Sequence, residues 1–199
     1  MNWNQHINST YNKAIKTLNF VKRNTFICSQ RYRALAYNSL VRPHLEYASA
    51  SWDPHYVKHI SLLEKVQNNA VIVVYLAYDR HTSVSALKTG LTWPLLETRR
   101  RVSRLTEFYK VVVGSSPIPG TCLNRSAVHT RAAVDNKFRN LYCRTDTYKF
   151  SFFLRSIRDW NELPVEIRLS PSVNVFNLGL LSFWVGVSSH SSPSSSSHC

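Results

Sequence analysis

Carboxylates are scarce in this sequence of 199 residues. Eleven Asp and Glu stand against twenty-five Lys and Arg, a formal net charge of +14. No Asp-Asp pair occurs anywhere, and the single Asp residues, among them Asp53, Asp79, Asp146 and Asp159, lie far apart without acidic neighbours. That excludes the adjacent carboxylates that hold two metal ions in phosphoryl transfer. The four cysteines, Cys28, Cys122, Cys143 and Cys199, form no Cys-x-x-Cys pair and no zinc knuckle. They are expected to be thiols in a reducing compartment. No Gly-x-Ser-x-Gly elbow frames a serine nucleophile. His55 and His59 are four apart, as two ligands on one helical face would be. They lack the Glu of a His-Glu-x-x-His site, and Pro54 places His55 ahead of any helix, so they read as surface histidines. The longest apolar runs, Ala70–Ala77 and Leu178–Val187, are too short to span a bilayer. The polar start Met1-Asn-Trp-Asn-Gln-His6 is unlike a secretory leader. The expectation is an intracellular chain, nuclear or cytoplasmic, without membrane, metal or cofactor.

What is present is a foldable composition, 44% hydrophobic and 12% aromatic. The positive charge is uneven. Residues 1–150 hold twenty-two Lys and Arg against eight Asp and Glu, whereas residues 151–199 hold three of each. A basic surface attracts polyanions, because every phosphate neutralised releases condensed counterions.

Hydrophobic periodicity predicts a mainly α protein, a bundle of four to five helices. Ile7, Tyr11, Ala14, Ile15, Leu18 and Val21 share one face of a helix over 7–23. A second helix is predicted over 30–42, capped by Ser29, burying Tyr32, Leu35, Ala36 and Leu40 and stopped by Pro43. A third begins near Val57 and keeps its period through Ile60, Leu63, Val66, Ala70 and Val73. The β-branched Val71–Leu76 run permits a strand, but the established period favours helix. A short helix over 83–88 is followed by a longer one, opened by Thr92 and Pro94, buried along Val102, Leu105, Phe108, Tyr109 and Val112, and closed by Gly114. Domain by domain, the reading gives a basic helical domain over 1–113 and a Gly/Pro linker over 114–121. A small, less regular α+β segment over 122–176 follows, with extended chain or strands over 138–153. An apolar stretch and a disordered Ser-rich tail occupy 177–199.

Five blocks carry a resemblance. They are Trp3-Asn-Gln-His-Ile7 leading to Lys22-Arg-Asn24; Leu40-Val-Arg-Pro-His-Leu-Glu-Tyr-Ala-Ser49 with Trp52-Asp-Pro54; Leu62-Leu-Glu-Lys-Val-Gln67; Leu91-Thr-Trp-Pro-Leu-Leu-Glu97 with Arg99-Arg-Arg101 and Phe108-Tyr-Lys110; and Arg144–Lys149 with Trp160-Asn-Glu-Leu-Pro164. Together and in this order they resemble the carboxy-terminal helical region of reverse transcriptases from non-LTR (LINE-type, jockey-like) retrotransposons. Asn68-Asn69 stands where that family has a basic pair, and Leu154 where it has proline. The resemblance implies a non-catalytic region downstream of an RNA-directed DNA polymerase palm. Its expected partners are RNA, DNA or an RNA–DNA hybrid, together with the palm domain of the parent polyprotein.

The candidate backbone-binding residues are Lys13, Lys16, Lys22, Arg23, Arg31, Arg33, Arg42, Arg99, Arg100, Arg101, Arg104 and Lys110. Arg100 and Arg104, one helical turn apart, form the leading pair for successive phosphates. Trp93 and Trp160 read as core. Glu46 and Tyr47 read as fixing an interhelical junction. The competing expectation is a degenerate retroelement remnant without selected activity, or a helical protein-interaction module.

Overall fold

The computed structural model describes residues 3–79, 82–118, 123, 136–140 and 142–188, with backbone alone for 185–188. The expected Ser-rich tail beyond 188 and most of the segment 119–135 lie outside the described residues. The described chain is helical and contains no strand. None of its helices is long and apolar enough to cross a membrane. It divides into two compact units, Met1–Arg101 and Val102–Cys199.

The first unit opens with α1 (Asn4–Asn24), which buries Ile7, Thr10, Ala14, Leu18 and Val21 at spacings of three and four. Lys22 and Arg23 in its last turn complement the negative end of the helix dipole. Next comes α2 (Gln30–Ala36), which runs without a break through a π-helical turn, Tyr37–Val41, into α3 (Arg42–Glu46). Pro43 therefore does not end this helix as predicted. The Arg42 N–H reaches back five residues to the Tyr37 carbonyl. That wider turn absorbs the missing donor and the ring bulk that proline would otherwise drive into the preceding turn. The buried stripe also differs from the predicted one. Tyr32, Leu35 and Leu40 are exposed, and Arg33, Tyr37, Val41 and Leu45 are buried instead. An apolar-letter count misses this register because one of its four members is an arginine.

After the short α4 (Ser49–Trp52), α5 (Val57–Tyr75) carries the β-branched run as helix, as its established period predicts. Leu63, Val66, Ala70 and Val73 pack on Ile7, Ala14, Leu18 and Val21, together with Tyr37, Val41, Leu45 and Trp52. Burial of such aliphatic side chains, roughly 1.5–3 kcal/mol apiece relative to exposure, is the main force holding the unit together. α6 (Val84–Gly90) is N-capped by the Ser83 hydroxyl. α7 (Leu96–Val113) starts later than the predicted Thr92-Trp-Pro94 opening. The partner for its first N–H groups is not Thr92 but Glu64 of α5, whose Oε2 accepts from Leu96 N at 3.0 Å. Gln67 of α5 donates to the Pro94 carbonyl at 2.9 Å. Two polar side chains of α5 thus hold the segment leading into α7.

The boundary between the two compact units falls inside α7. Residues 96–101 belong to the first unit, and the helix from Val102 onward supplies the second with Leu105, Phe108 and Tyr109. Gly114, at φ 76°, ends the helix as expected: its N–H reaches Val111 and that of Ser115 reaches Lys110. The second unit adds α8 (Asp146–Lys149), α9 (Phe152–Glu162), α10 (Val165–Arg168) and α11 (Val173–Ser188). Trp160 is its hub. Phe108, Phe138 and Phe176 surround the indole at centroid distances of 5.4, 6.1 and 5.6 Å, and its N–H donates to the Asn136 carbonyl. Within the stretch 138–153 expected to be extended or stranded, α8 and the start of α9 take up 146–149 and 152–153 as helix. Phe138 is a bridge residue, and Asn161 of α9 also holds its backbone, accepting from Phe138 N at 3.0 Å and donating to its carbonyl at 2.8 Å.

Candidate nucleic-acid interface

Most of the arginines singled out on α7 are not available to a ligand. The Arg100 side chain is fully buried, its Nε 3.2 Å from Asp53 Oδ1. Arg104 is likewise buried and paired with Asp159. The leading candidate pair is therefore corrected: one helical turn does place the two on the same face, but that face is the inner one. Arg99 grips Glu46 with two nitrogens, the second at 3.2 Å, while Arg42 approaches the same carboxylate at 3.7 Å and donates to Asn38 Oδ1 at 3.0 Å. Arg101 is half-buried and engaged within the fold. Lys110 pairs with Glu107 at 2.7 Å. Glu46 thus fixes the junction as expected, and Tyr47 does so through its carbonyl, which accepts from the Trp52 indole.

Arg33 is also a structural residue. Its Nε donates to the Val74 carbonyl near the end of α5 at 2.9 Å, and its Nη1 donates to the carbonyls of Phe26 and Cys28. A buried guanidinium here satisfies three backbone acceptors and pins the loop between α1 and α2.

The remaining candidates, Lys13, Lys16, Lys22, Arg23 and Arg31, are all exposed. Among the described residues none of the five meets a carboxylate in an ion pair. The reason is legible in the sequence and lies outside hydrophobic periodicity: the first acidic residue of the whole chain is Glu46. Lys16 and Arg23 are seven residues apart, so both project opposite the buried stripe of α1. Their separation along the helix axis is about 10 Å at 1.5 Å per residue, close to three base steps of 3.4 Å on one strand.

At the carboxy-terminal end of α1 this basic face meets aromatic rings. Lys22, Arg23, Phe26 and Tyr78 enclose an open cleft of about 470 Å³. The Lys22 ammonium sits 4.7 Å from the centre of the Tyr78 ring. Phe26 is exposed and held in place by the Arg33–Phe26 hydrogen bond. Cations to neutralise phosphate, alternating with flat rings on which bases stack, are the two elements of sequence-tolerant single-strand binding. No family model matches the chain, and no curated protein or solved structure matches it either. Trp52 and Trp160 are buried in the cores. Trp93 is half-buried and stacks on Tyr37 at 4.5 Å, while Trp3 lies exposed at the start of α1. His59 is buried, contrary to its reading as a surface residue, and the described residues hold no cluster of three metal-ligating side chains.

Proposed function

We propose that this chain is a non-catalytic helical module that grips the sugar–phosphate backbone of RNA, DNA or an RNA–DNA hybrid, and that it corresponds to the carboxy-terminal region of a non-LTR retrotransposon reverse transcriptase. The observation that carries the binding reading is the acid-free outer face of α1, with Lys13, Lys16, Lys22 and Arg23 exposed and the last two beside Phe26 and Tyr78. Binding by such a face reads charge and shape rather than base edges. In the parent protein, an upstream palm would make the phosphodiester bonds inside the cell, while this module would hold template or primer during target-primed copying. The order of the five sequence blocks supports that placement.

The test is a titration of the purified chain against RNA, duplex DNA and hybrid at two salt concentrations. Tight binding at low salt that falls steeply at high salt is expected. Indifference to every polyanion at low ionic strength, or nucleotide incorporation by this polypeptide alone, overturns the proposal.

One observation favours a second reading, a protein-interaction module. Tyr32, Leu35 and Leu40 expose the apolar face of the α2 region, and Ile27 beside it is 97% exposed. A run of exposed apolar side chains on one side of a helix is a docking signature in soluble proteins. Loss of self-association or partner capture in a Tyr32→Ser/Leu35→Ser variant that still binds nucleic acid would separate the two.

A further inference from the structure

A second cavity, remote in sequence from the Lys22–Tyr78 cleft, lies where the π-helical turn meets the segment before α7. It measures about 280 Å³, and Tyr37, Asn38, Arg42, Trp93 and Arg99 are among its lining residues. The π turn accounts for part of this arrangement. Its five-residue step sets Arg42 above Tyr37, so both face the same space. Thr92 on the opposite wall has φ 52°, a left-handed conformation that is strained for a β-branched residue. An irregular helix and a strained loop residue therefore converge on one cavity.

The polar groups around it are unbalanced in favour of donors. Gln67 accepts from the Tyr37 hydroxyl and donates one amide N–H to the Pro94 carbonyl, which leaves it a second N–H. Asn38 spends its oxygen on Arg42 and keeps its amide N–H groups. Arg42 and Arg99 share the carboxylate of Glu46, and the Glu64 carboxylate, which also acts on Tyr37, is paired with Lys88; one positive charge is left in excess, with guanidinium N–H groups to spare. The side chains of Arg42, Arg99 and Glu46 are about 30% exposed, so water and solutes reach them. A donor-rich rim of net positive charge is complementary to an acceptor-rich anion, and two planar guanidinium forks suit a phosphate best. The half-buried Trp93 indole adds an aromatic wall. The volume is close to that of small-molecule sites and too small for a strand to pass through.

We propose that this cavity binds the phosphomonoester of a nucleotide, free or at the end of a strand, with the phosphate between Arg42 and Arg99. The choice of a base-bearing ligand rests on the nucleic-acid reading above; the phosphate chemistry does not. Calorimetric titration of the whole chain with adenosine monophosphate, inorganic phosphate and adenosine tests it. The monophosphate and phosphate bind, and adenosine does not. Phosphorylated and unphosphorylated ends of one oligonucleotide then distinguish a strand end from a free nucleotide.

Two variants shift the affinity in opposite directions. Glu46→Gln releases both arginines and tightens monophosphate binding by about fivefold or more, since a unit charge a few ångströms away is only partly screened. Misfolding cannot produce such a gain. Asn38→Asp, at a half-exposed position, places a carboxylate on the rim and weakens binding by a similar factor, about fivefold. Adenosine binding as tightly as its monophosphate, or a monophosphate affinity unchanged in both variants, overturns the proposal. Those results leave the salt-dependent binding of long polyanions on α1 unaffected. Monophosphate binding without long-strand binding would instead remove the α1 reading and keep this site.

Discussion

Replacing Lys16 and Arg23 together by alanine removes two of the five exposed cations formed by Lys13, Lys16, Lys22, Arg23 and Arg31. If each neutralises one phosphate of a duplex, the native chain has a logarithmic salt slope of about −4.5 and the variant about −2.7. A fourfold rise in salt then weakens native binding roughly 500-fold and variant binding only roughly 40-fold. Neither side chain is buried or ion-paired, so folding stability should change by no more than about 0.5 kcal/mol. The control is Arg104→Ala. It strands the Asp159 carboxylate in the second unit's interior, where breaking a buried pair costs about 3–5 kcal/mol, a large part of the about 5–15 kcal/mol that holds a typical domain together. Fluorescence anisotropy at several salt concentrations gives the slopes, and urea denaturation gives the stabilities. The reasoning is refuted if the Lys16/Arg23 variant keeps the native slope while Arg104→Ala lowers it and unfolds no more readily than the parent.

Three further outcomes follow from the geometry. Arg33→Met should destabilise the first unit by about 2–4 kcal/mol, because the carbonyls of Val74, Phe26 and Cys28 lose a charged donor, and a midpoint shift on urea denaturation would show it. Trp160→Ala should cost about 3–5 kcal/mol and collapse the near-ultraviolet dichroism of the second unit; a native-like spectrum would argue against its hub role. Burial, and then the nearby Glu46 carboxylate, push the Tyr37 phenol well above the ordinary tyrosine value of 10.0. The neutral form is favoured in the folded chain, so stability is fully present below that ordinary value and drains away as pH rises above it, at about 1.4 kcal/mol per pH unit for one proton. Tyr37→Phe should flatten that alkaline decline by one proton's worth, measured as urea midpoints across the alkaline range.

Helix existence was largely legible because it rests on repeated local evidence. The stripe of α1 and the period of α5 each contain five or more apolar positions, so no single residue decides them. Misreadings occurred where one long-range contact outranked local chemistry. Thr92 and Pro94 carry suitable capping letters, yet Glu64 on α5 decides where α7 begins. Pro43 normally stops a helix, yet a π turn absorbs it. Arg33 reads as a surface cation, yet three carbonyls draw it inside. The site suffered most, since Arg and Lys look alike in composition whether they face water or a buried Asp. Asp53 and Asp159, dismissed as scattered, are the partners that take Arg100 and Arg104 away from the surface.

The distribution of carboxylates therefore decides which cations are available. An arginine paired one-to-one with a buried acid, as Arg100 is with Asp53 and Arg104 with Asp159, has its outward field largely cancelled. From Met1 to Leu45 the chain offers no acid, so the cations of α1 have no carboxylate in their own segment to pair with. Arg33 is accommodated by backbone carbonyls, which satisfy donors but leave the unit charge uncancelled. The field of this stretch must then be balanced by ions from solution, the condition under which a polyanion gains free energy by releasing them. Inserting acids would test this directly. Asn12→Glu and Asn19→Glu, each exposed and each i,i+4 from an α1 cation, Lys16 for the first and Arg23 for the second, should add helix-stabilising pairs of about 0.3–0.5 kcal/mol. The same changes should weaken strand binding as much as deleting the two cations does. Binding that survives both insertions would mean that the charge of α1 is incidental and that the strand is held elsewhere on the chain.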